Sequence, residues 1–399
     1  MSGGFAAVLA RFESVEFFPT TGEMRLRMLT GEVYSTPGSP VPDTVIVRSC
    51  WGPPGTSLEL EFDDGEVVVL EVPTRPVVPD PRPVVYLDQN HWVELARARV
   101  GSPRLTGDRL DTYLRFTQLA ESGRIIVPLS SAHLTEMGRK SGQQRRDVAV
   151  TMLRLSRGWQ MRNPLQVRNE ELDAVFDERA MVRPVFTLEP DVIWTHDPRP
   201  RPPIPKDDVW AEAMTLADDL AAAASLADVL ADPERAQSDE GLELAQRWAA
   251  SFGDLAQHVR TSPKAKAGLR LVSLARFITD MQEDVARAAR DSNMTPEAFQ
   301  HWLMNDSEQA LMRLPSVGRI REVTHRRLAN ADDNWERNDL CDMLFLSTGA
   351  GYADFVVAER KIGNYLRQAA AVTRPGGRVF VKMADALEAI ETHLAELST

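Results

Sequence analysis

The chain has 399 residues, 43% of them hydrophobic and 26% charged, with a formal net charge of −12 and a pI near 5.2. That length holds two or three domains, and the acidic balance excludes a surface that is basic all over while allowing a local basic groove. Two cysteines, Cys50 and Cys341, lie far apart and suggest no disulfide framework, so a reducing compartment is expected.

Residues 1–75 read as a small β-rich domain. Met24 to Leu29 alternates, Val45-Ile46-Val47 is β-branched, and Leu58-Glu59-Leu60-Glu61-Phe62 alternates again. Asp63-Asp64-Gly65 supplies a hairpin turn before Glu66-Val67-Val68-Val69-Leu70. Five prolines follow within 73–83, which is extended and semi-rigid, so residues 76–83 form a linker.

Val84-Val85-Tyr86-Leu87 is a short apolar run of the kind that forms a fully buried strand, and Asp88 ends it. A carboxylate at the end of a buried parallel strand stands where open α/β sheets place their ligands. The alternative role is a cap for the helix that Val93 to Arg97 begins. A helix over 111–121, a second strand over Arg124 to Leu129 and a helix from His133 to Arg139 follow. Strand–helix–strand–helix is a parallel α/β unit. Glu136 falls in the early turns of its last helix, where a plain dipole interaction is the competing reading.

From 145 to 330 the pattern is helical, broken by the stiff segment Pro198 to Pro205. Helices are expected over 145–159, 210–230, 242–259, 264–290 and 296–314, their Ala/Leu stripes serving as bundle core. Arg319-Ile320-Arg321 and His325-Arg326-Arg327 make a basic cluster, either a solvated helix face or a phosphate contact. Asn338 should cap a helix that carries Asp339 and Asp342 on one face. Tyr352 to Glu359 reads as a strand with Glu359 at its C-terminal end, Arg360 and Lys361 come next, and a last strand and helix close the chain.

Asp88, Glu136, Asp342 and Glu359 thus fall at strand ends or first helical turns, with Asp339 a fifth candidate. All-oxygen sets of this kind suit Mg²⁺ or Mn²⁺, which activate water and bridge a scissile phosphate. No His/Cys spacing suggests zinc, no Gly-rich phosphate loop follows a strand, and no Gly-x-Ser-x-Gly elbow occurs.

The order of these motifs resembles the PIN-like nuclease family over about 83–140 and 335–395. The residues carrying it are Val84 to Asn90, Ser130 to Glu136, Asn338 to Asp342 and Asp354 to Glu359. Many relatives have Asp at the last place, so Glu359 is a departure that lengthens the ligand by one methylene. The resemblance implies a three-layer α/β/α domain with a central parallel sheet, in parts 84–144 and 331–399 around a helical insertion, 145–330. It implies a metal-dependent endoribonuclease of a toxin, phage-defence or stress system, with Asp88, Glu136, Asp342 and Glu359 as catalytic metal ligands. Asn90 and Asp339 would be auxiliary, and Arg360 or Lys361 would touch the substrate backbone. The competing expectation is an inactive PIN-like scaffold whose insertion binds a protein partner or inhibitor. Either protein would be cytoplasmic, with nucleic acid, RNA before DNA, as the enzyme's partner and no membrane.

Overall fold

A computed structural model of the chain describes residues 12–41, 43–51, 57–71, 80–137, 140–177, 179–188, 223–231 and 239–397. Pro73, the linker residues Pro76 and Pro79, the stiff segment 198–205 and the first part of the expected 210–230 helix lie outside the described residues.

The described residues between 12 and 71 form a six-stranded antiparallel sheet: β1 (Phe12–Phe18), β2 (Glu23–Met28), β3 (Val33–Thr36), β4 (Ile46–Trp51), β5 (Ser57–Phe62) and β6 (Val67–Glu71), in the order β3-β2-β1-β4-β5-β6. Alternation sets its faces. Leu58, Leu60 and Phe62 of β5 and Val68 and Leu70 of β6 are buried, while Val67 and Val69 point out. Gly65 turns the β5–β6 hairpin at φ +83°, a backbone that glycine adopts without strain.

The chain continues through β7 (Val85–Leu87), α1 (Gln89–Arg99), α2 (Gly107–Glu121), α3 (Ser131–Met137), α4 (Gly142–Ser156), β8 (Gln160–Met161), α5 (Pro164–Phe176) and β9 (Phe186–Thr187). The strand expected over 124–129 does not form as a ladder. Ile125, Ile126, Val127 and Leu129 are buried as expected, but Leu129 makes only an isolated parallel bridge to Gln160. Residues 223–231 are helical.

The remainder is α6 (Asp239–Thr261), α7 (Pro263–Ala267), α8 (Leu269–Asp280), α9 (Gln282–Asp291), α10 (Pro296–Asn305), α11 (Ser307–Met312), α12 (Val317–Ala329), α13 (Asp339–Tyr352), β10 (Phe355–Val357), α14 (Arg360–Ala369), β11 (Arg378–Phe380) and α15 (Met383–Glu396). The helix expected over 264–290 is three pieces, interrupted at Gly268 and Met281, and that over 296–314 breaks at Asp306.

The fold is therefore mixed α/β, with an antiparallel N-terminal sheet and a separate parallel one. The chain divides into two compact units. One comprises Met1–Arg82, Trp92–Met161 and Phe186–Ala236, and the other Pro83–His91, Arg162–Val185 and Gln237–Thr399. In the first, α4 packs on β6, and the Arg145 guanidinium is fully buried against the carbonyls of Met137, Val229 and Leu230.

The second unit holds the three-stranded parallel sheet, ordered β11-β10-β7, with α13, α14 and α15 packed against it. Gly349 lets α13 approach closely, because a Cβ there would lie 2.6 Å from Tyr86 Cδ1 on β7. Helix α12 runs through this unit's interior, with Val317 to Thr324 buried continuously. Glu171 on α5 pins its start: the carboxylate accepts from Ser316 N, Ser316 Oγ, Val317 N and the Tyr352 hydroxyl at 2.7–3.0 Å.

Candidate active site

Two strand ends bring two acids together. The parallel register pairs Val357 with Leu87, so Asp88 and Glu359 are the residues by which β7 and β10 leave the same edge of the sheet. Asp88 N donates to Val357 O at 2.9 Å. The Asp88 carboxylate then accepts from Gln89 N at 2.7 Å and from Glu359 N at 3.0 Å. Asp88 therefore stands at the start of α1, bonded to its first amide, and clamps the start of α14.

The electrostatics of the pair are unfavourable. Burial pushes the Asp88 carboxyl above the usual carboxylate range, against the pull of its two backbone donors. Glu359 is pushed the same way, first by desolvation and then by the charge of Asp88, with Lys361 acting in the opposite sense. Beside them, the Gln89 side chain is 3% exposed, and neither its amide nitrogen nor its oxygen has a hydrogen-bond partner among the described residues. A buried amide left so costs about 1–3 kcal/mol and marks a place that something else completes.

The next acids are already neutralised. The Arg327 guanidinium, 1% exposed, donates to Asp333 at 2.9 and 3.2 Å, to Asp339 at 2.7 Å and to Asn334 O at 2.9 Å. Its Cζ stands 4.0 Å from the ring centroid of Trp335. Lys361 Nζ adds contacts to Asp333 at 2.9 Å, Asp339 at 3.6 Å and Asn334 O at 3.1 Å. Burial raises the Asp333 carboxyl, but Arg327 and Lys361 outweigh it and hold it below its ordinary value. Asp339 also accepts from Glu336 N at 2.5 Å. This local bond and the Asp342 N to Asn338 O bond shape the first turn of α13, where the Asn338 side chain makes no capping bond.

Of the remaining expected site residues, Asp342 is half-buried in the first turn of α13, three residues past Asp339. Asn90 is exposed on the first turn of α1, and Arg360 is exposed at the start of α14. Glu136 is half-buried on α3, in the first compact unit, whereas the other acids are in the second. Asp354 holds the opposite edge of the sheet, accepting from Val84 N at 2.7 Å.

The basic cluster is not a surface. Arg319, Arg321 and Arg327 are 1%, 0% and 1% exposed. Arg319 binds Pro315 O and Arg374 O, Arg321 binds Glu308 and Glu322, and Arg326 pairs with Glu322. The solvated-face and phosphate readings both fail for the three buried arginines, because their guanidinium groups are out of solvent and bonded to protein carbonyls and carboxylates. Sequence reasoning also missed Arg327 and Asp333 as neighbours of the acids. The motif's only hint was a basic run placed just before an acidic one.

Among the described residues, no group of three or more His, Cys, Asp or Glu side chains could hold a metal ion. The Asp88–Glu359 pair still fits a hard cation in chemistry. It is all-oxygen, and its mutual repulsion is relieved by positive charge. Mg²⁺ is commonly held by one or two carboxylates, with water and substrate oxygens for the rest. No family model, curated protein or solved structure matches the chain. No helix among the described residues is long and apolar enough to cross a membrane.

Proposed function

We propose that this chain is a PIN-like, Mg²⁺- or Mn²⁺-dependent phosphodiesterase acting on RNA. The observation that carries the reading is the juxtaposition of Asp88 and Glu359 at neighbouring ends of parallel strands, each carboxyl raised in its affinity for protons. Groups perturbed by burial plus a specific charge partner concentrate at functional sites. In this reading Asp88 and Glu359 are the first ligands, and Asp342, in the same compact unit, is the next candidate. A bound ion would supply a nucleophilic hydroxide and stabilise charge on the phosphate.

The chain's own residues position that chemistry. Two backbone N–H groups fix the Asp88 carboxylate. Arg327 and Lys361 hold Asp339 and Asp333, so the added negative charge beside the pair is balanced. Arg360, exposed beside Glu359, is placed to meet a substrate backbone, with Asn90 as a neighbouring amide. Two cysteines that form no disulfide with each other suit a reducing cytoplasm, and a toxin or phage-defence role fits such an enzyme.

A second reading has its own observation. The described acids include no group of three that could hold a metal, and Asp339 is already spent on Arg327. That pattern favours an inactive PIN-like scaffold that binds a protein partner through its helical region. Cleavage of a labelled RNA and single-stranded DNA panel with Mn²⁺ or Mg²⁺ separates the two. The enzyme reading expects divalent-dependent cutting of RNA that Asp88→Asn and Asp342→Asn abolish while both variants remain folded. No cutting under either metal, with no rise in melting temperature on adding Mn²⁺, overturns it.

A further inference from the structure

The second unit contains a groove of about 500 Å³ lined by Gln309, Met312, Arg313, Val372 and Arg374. It lies between the end of α11, which Arg313 closes, and the turn that leads from α14 into β11. That turn is at the edge where the parallel strands begin, whereas Asp88 and Glu359 stand where they end.

Its charge is uncompensated. Arg313 and Arg374 are exposed, and neither guanidinium has an ion pair or hydrogen bond among the described residues. Beneath Arg374 lies buried Arg319, bonded to the carbonyls of Pro315 and Arg374 with no carboxylate in contact. Gly376 makes room for it, since a Cβ there would come 2.3 Å from Arg319 Nη2. The acid that acts on Arg319 at longer range, Glu171, spends both oxygens on four donors. Elsewhere in this unit the buried arginines have acids of their own: Arg321 has Glu308, and Arg327 has Asp333 and Asp339. Arg313, Arg319 and Arg374 gather three guanidinium groups here without an ion pair to a carboxylate among the described residues.

The lining defines the ligand. Two arginine forks bind phosphate oxygens in paired hydrogen bonds, and the Gln309 amide adds further donors. Met312 and Val372, the latter 52% exposed, add an apolar wall that a bare inorganic anion would not use. The volume is that of a small-molecule site. We propose that this groove binds a nucleotide-sized phosphate ester, with the phosphate on Arg313 and Arg374 and the organic group against Met312 and Val372. The groove's chemistry is independent of the acids and does not require the chain to be a nuclease.

A free mononucleotide and one nucleotide of a strand share this chemistry, and two probes separate them. The full-length Asp88→Asn protein in EDTA, which prevents cleavage, is titrated with AMP by calorimetry and with a labelled single-stranded RNA by anisotropy. At least one probe should bind. R313A/R374A, exposed and unbonded positions, should weaken it about tenfold or more while the melting temperature holds. R313K/R374K, which keeps the charge but loses the fork, should fall between. AMP binding alone identifies a free nucleotide. RNA binding alone, with a salt slope lowered by about 1 in R313A/R374A, identifies a strand. Saturable binding of either probe that M312E also weakens places it in the groove. No binding of either probe up to millimolar concentration, or equal affinity in R313A/R374A, overturns the proposal. Either result leaves the cleavage question to its own assay.

Discussion

Replacing Arg327 with methionine tests the charge network beside the candidate site. The guanidinium serves two carboxylates and a carbonyl, and it stacks on Trp335 at 4.0 Å. Methionine keeps much of the volume and removes the charge. Leaving buried acids without their partner costs about 3–5 kcal/mol. Lys361 Nζ, 2.9 Å from Asp333 and 41% exposed at its side chain, remains to blunt the loss, which places the expectation near 3 kcal/mol. Loss of the cation over the indole adds about 0.5–2 kcal/mol. The sum, about 3.5–5 kcal/mol, is for a unit of this size a fall of roughly 7–20 °C in Tm. Urea unfolding followed by tryptophan emission suits the measurement, because Trp335 and its neighbours Trp248 and Phe252 sit at the network. The loss should also depend on pH. The Asp333 carboxyl is depressed in the folded state, so its contribution is full above its unfolded pKa near 3.9 and is lost as pH falls through the lower folded value. Wild type should therefore converge on R327M below about pH 4. A cost under about 1 kcal/mol at pH 7, or a gap unchanged down to pH 3, would refute the network as described.

Glu359→Gln removes the repulsion with Asp88. The carboxyl is raised in the fold, so its penalty exists above that raised pKa and is relieved as pH falls through it. At pH 7 the variant should gain a few tenths to about 1 kcal/mol, discounted for exposure, and the gain should shrink on acidification. In the same thermal scans Mn²⁺ should stabilise wild type more than the variant. Equal responses to pH and to metal would count against the acid pair. Gly349→Ala should cost about 1–3 kcal/mol by forcing a methyl against the Tyr86 ring. A double-mutant cycle with Tyr86→Leu should show coupling of 0.5 kcal/mol or more, roughly. Additive losses would mean that the helix and strand do not meet there.

Some of this was legible because it is local. The apolar runs ending in Asp88 and Glu359 became the paired strands β7 and β10, since burial on both faces leaves a periodicity that needs no partner to be read. The β5–β6 hairpin was readable from its glycine turn and alternation. Other features rest on distant contacts. Arg319, Arg321 and Arg327 look like a solvated basic run until the packing of α12 buries them against Arg374 O, Glu308 and Asp339. The run Arg124 to Leu129 has strand composition and is buried, yet whether such a segment is laddered depends on which backbone lies beside it. Strands β1 and β3 escaped notice because β1 mixes acids with apolar residues and β3 is a four-residue exposed edge strand, so neither carries a clear apolar pattern. Gly268 and Met281 break helices that periodicity alone runs together.

The parallel sheet also sets a timetable for the nascent chain. Val84 N is held by a carboxylate 270 residues downstream, and β7 has no neighbour in its sheet until β10 exists. At about 5–20 residues per second, a ribosome needs roughly 15–55 s to supply it. The six-stranded antiparallel sheet, closed by neighbouring hairpins, can form long before that. During the wait Val85-Tyr86-Leu87 is an unsatisfied apolar strand with its hydrogen-bonding edges open, the kind of segment chaperones hold. Slowing synthesis between the two strands should therefore lengthen the life of an aggregation-prone intermediate without changing the finished molecule.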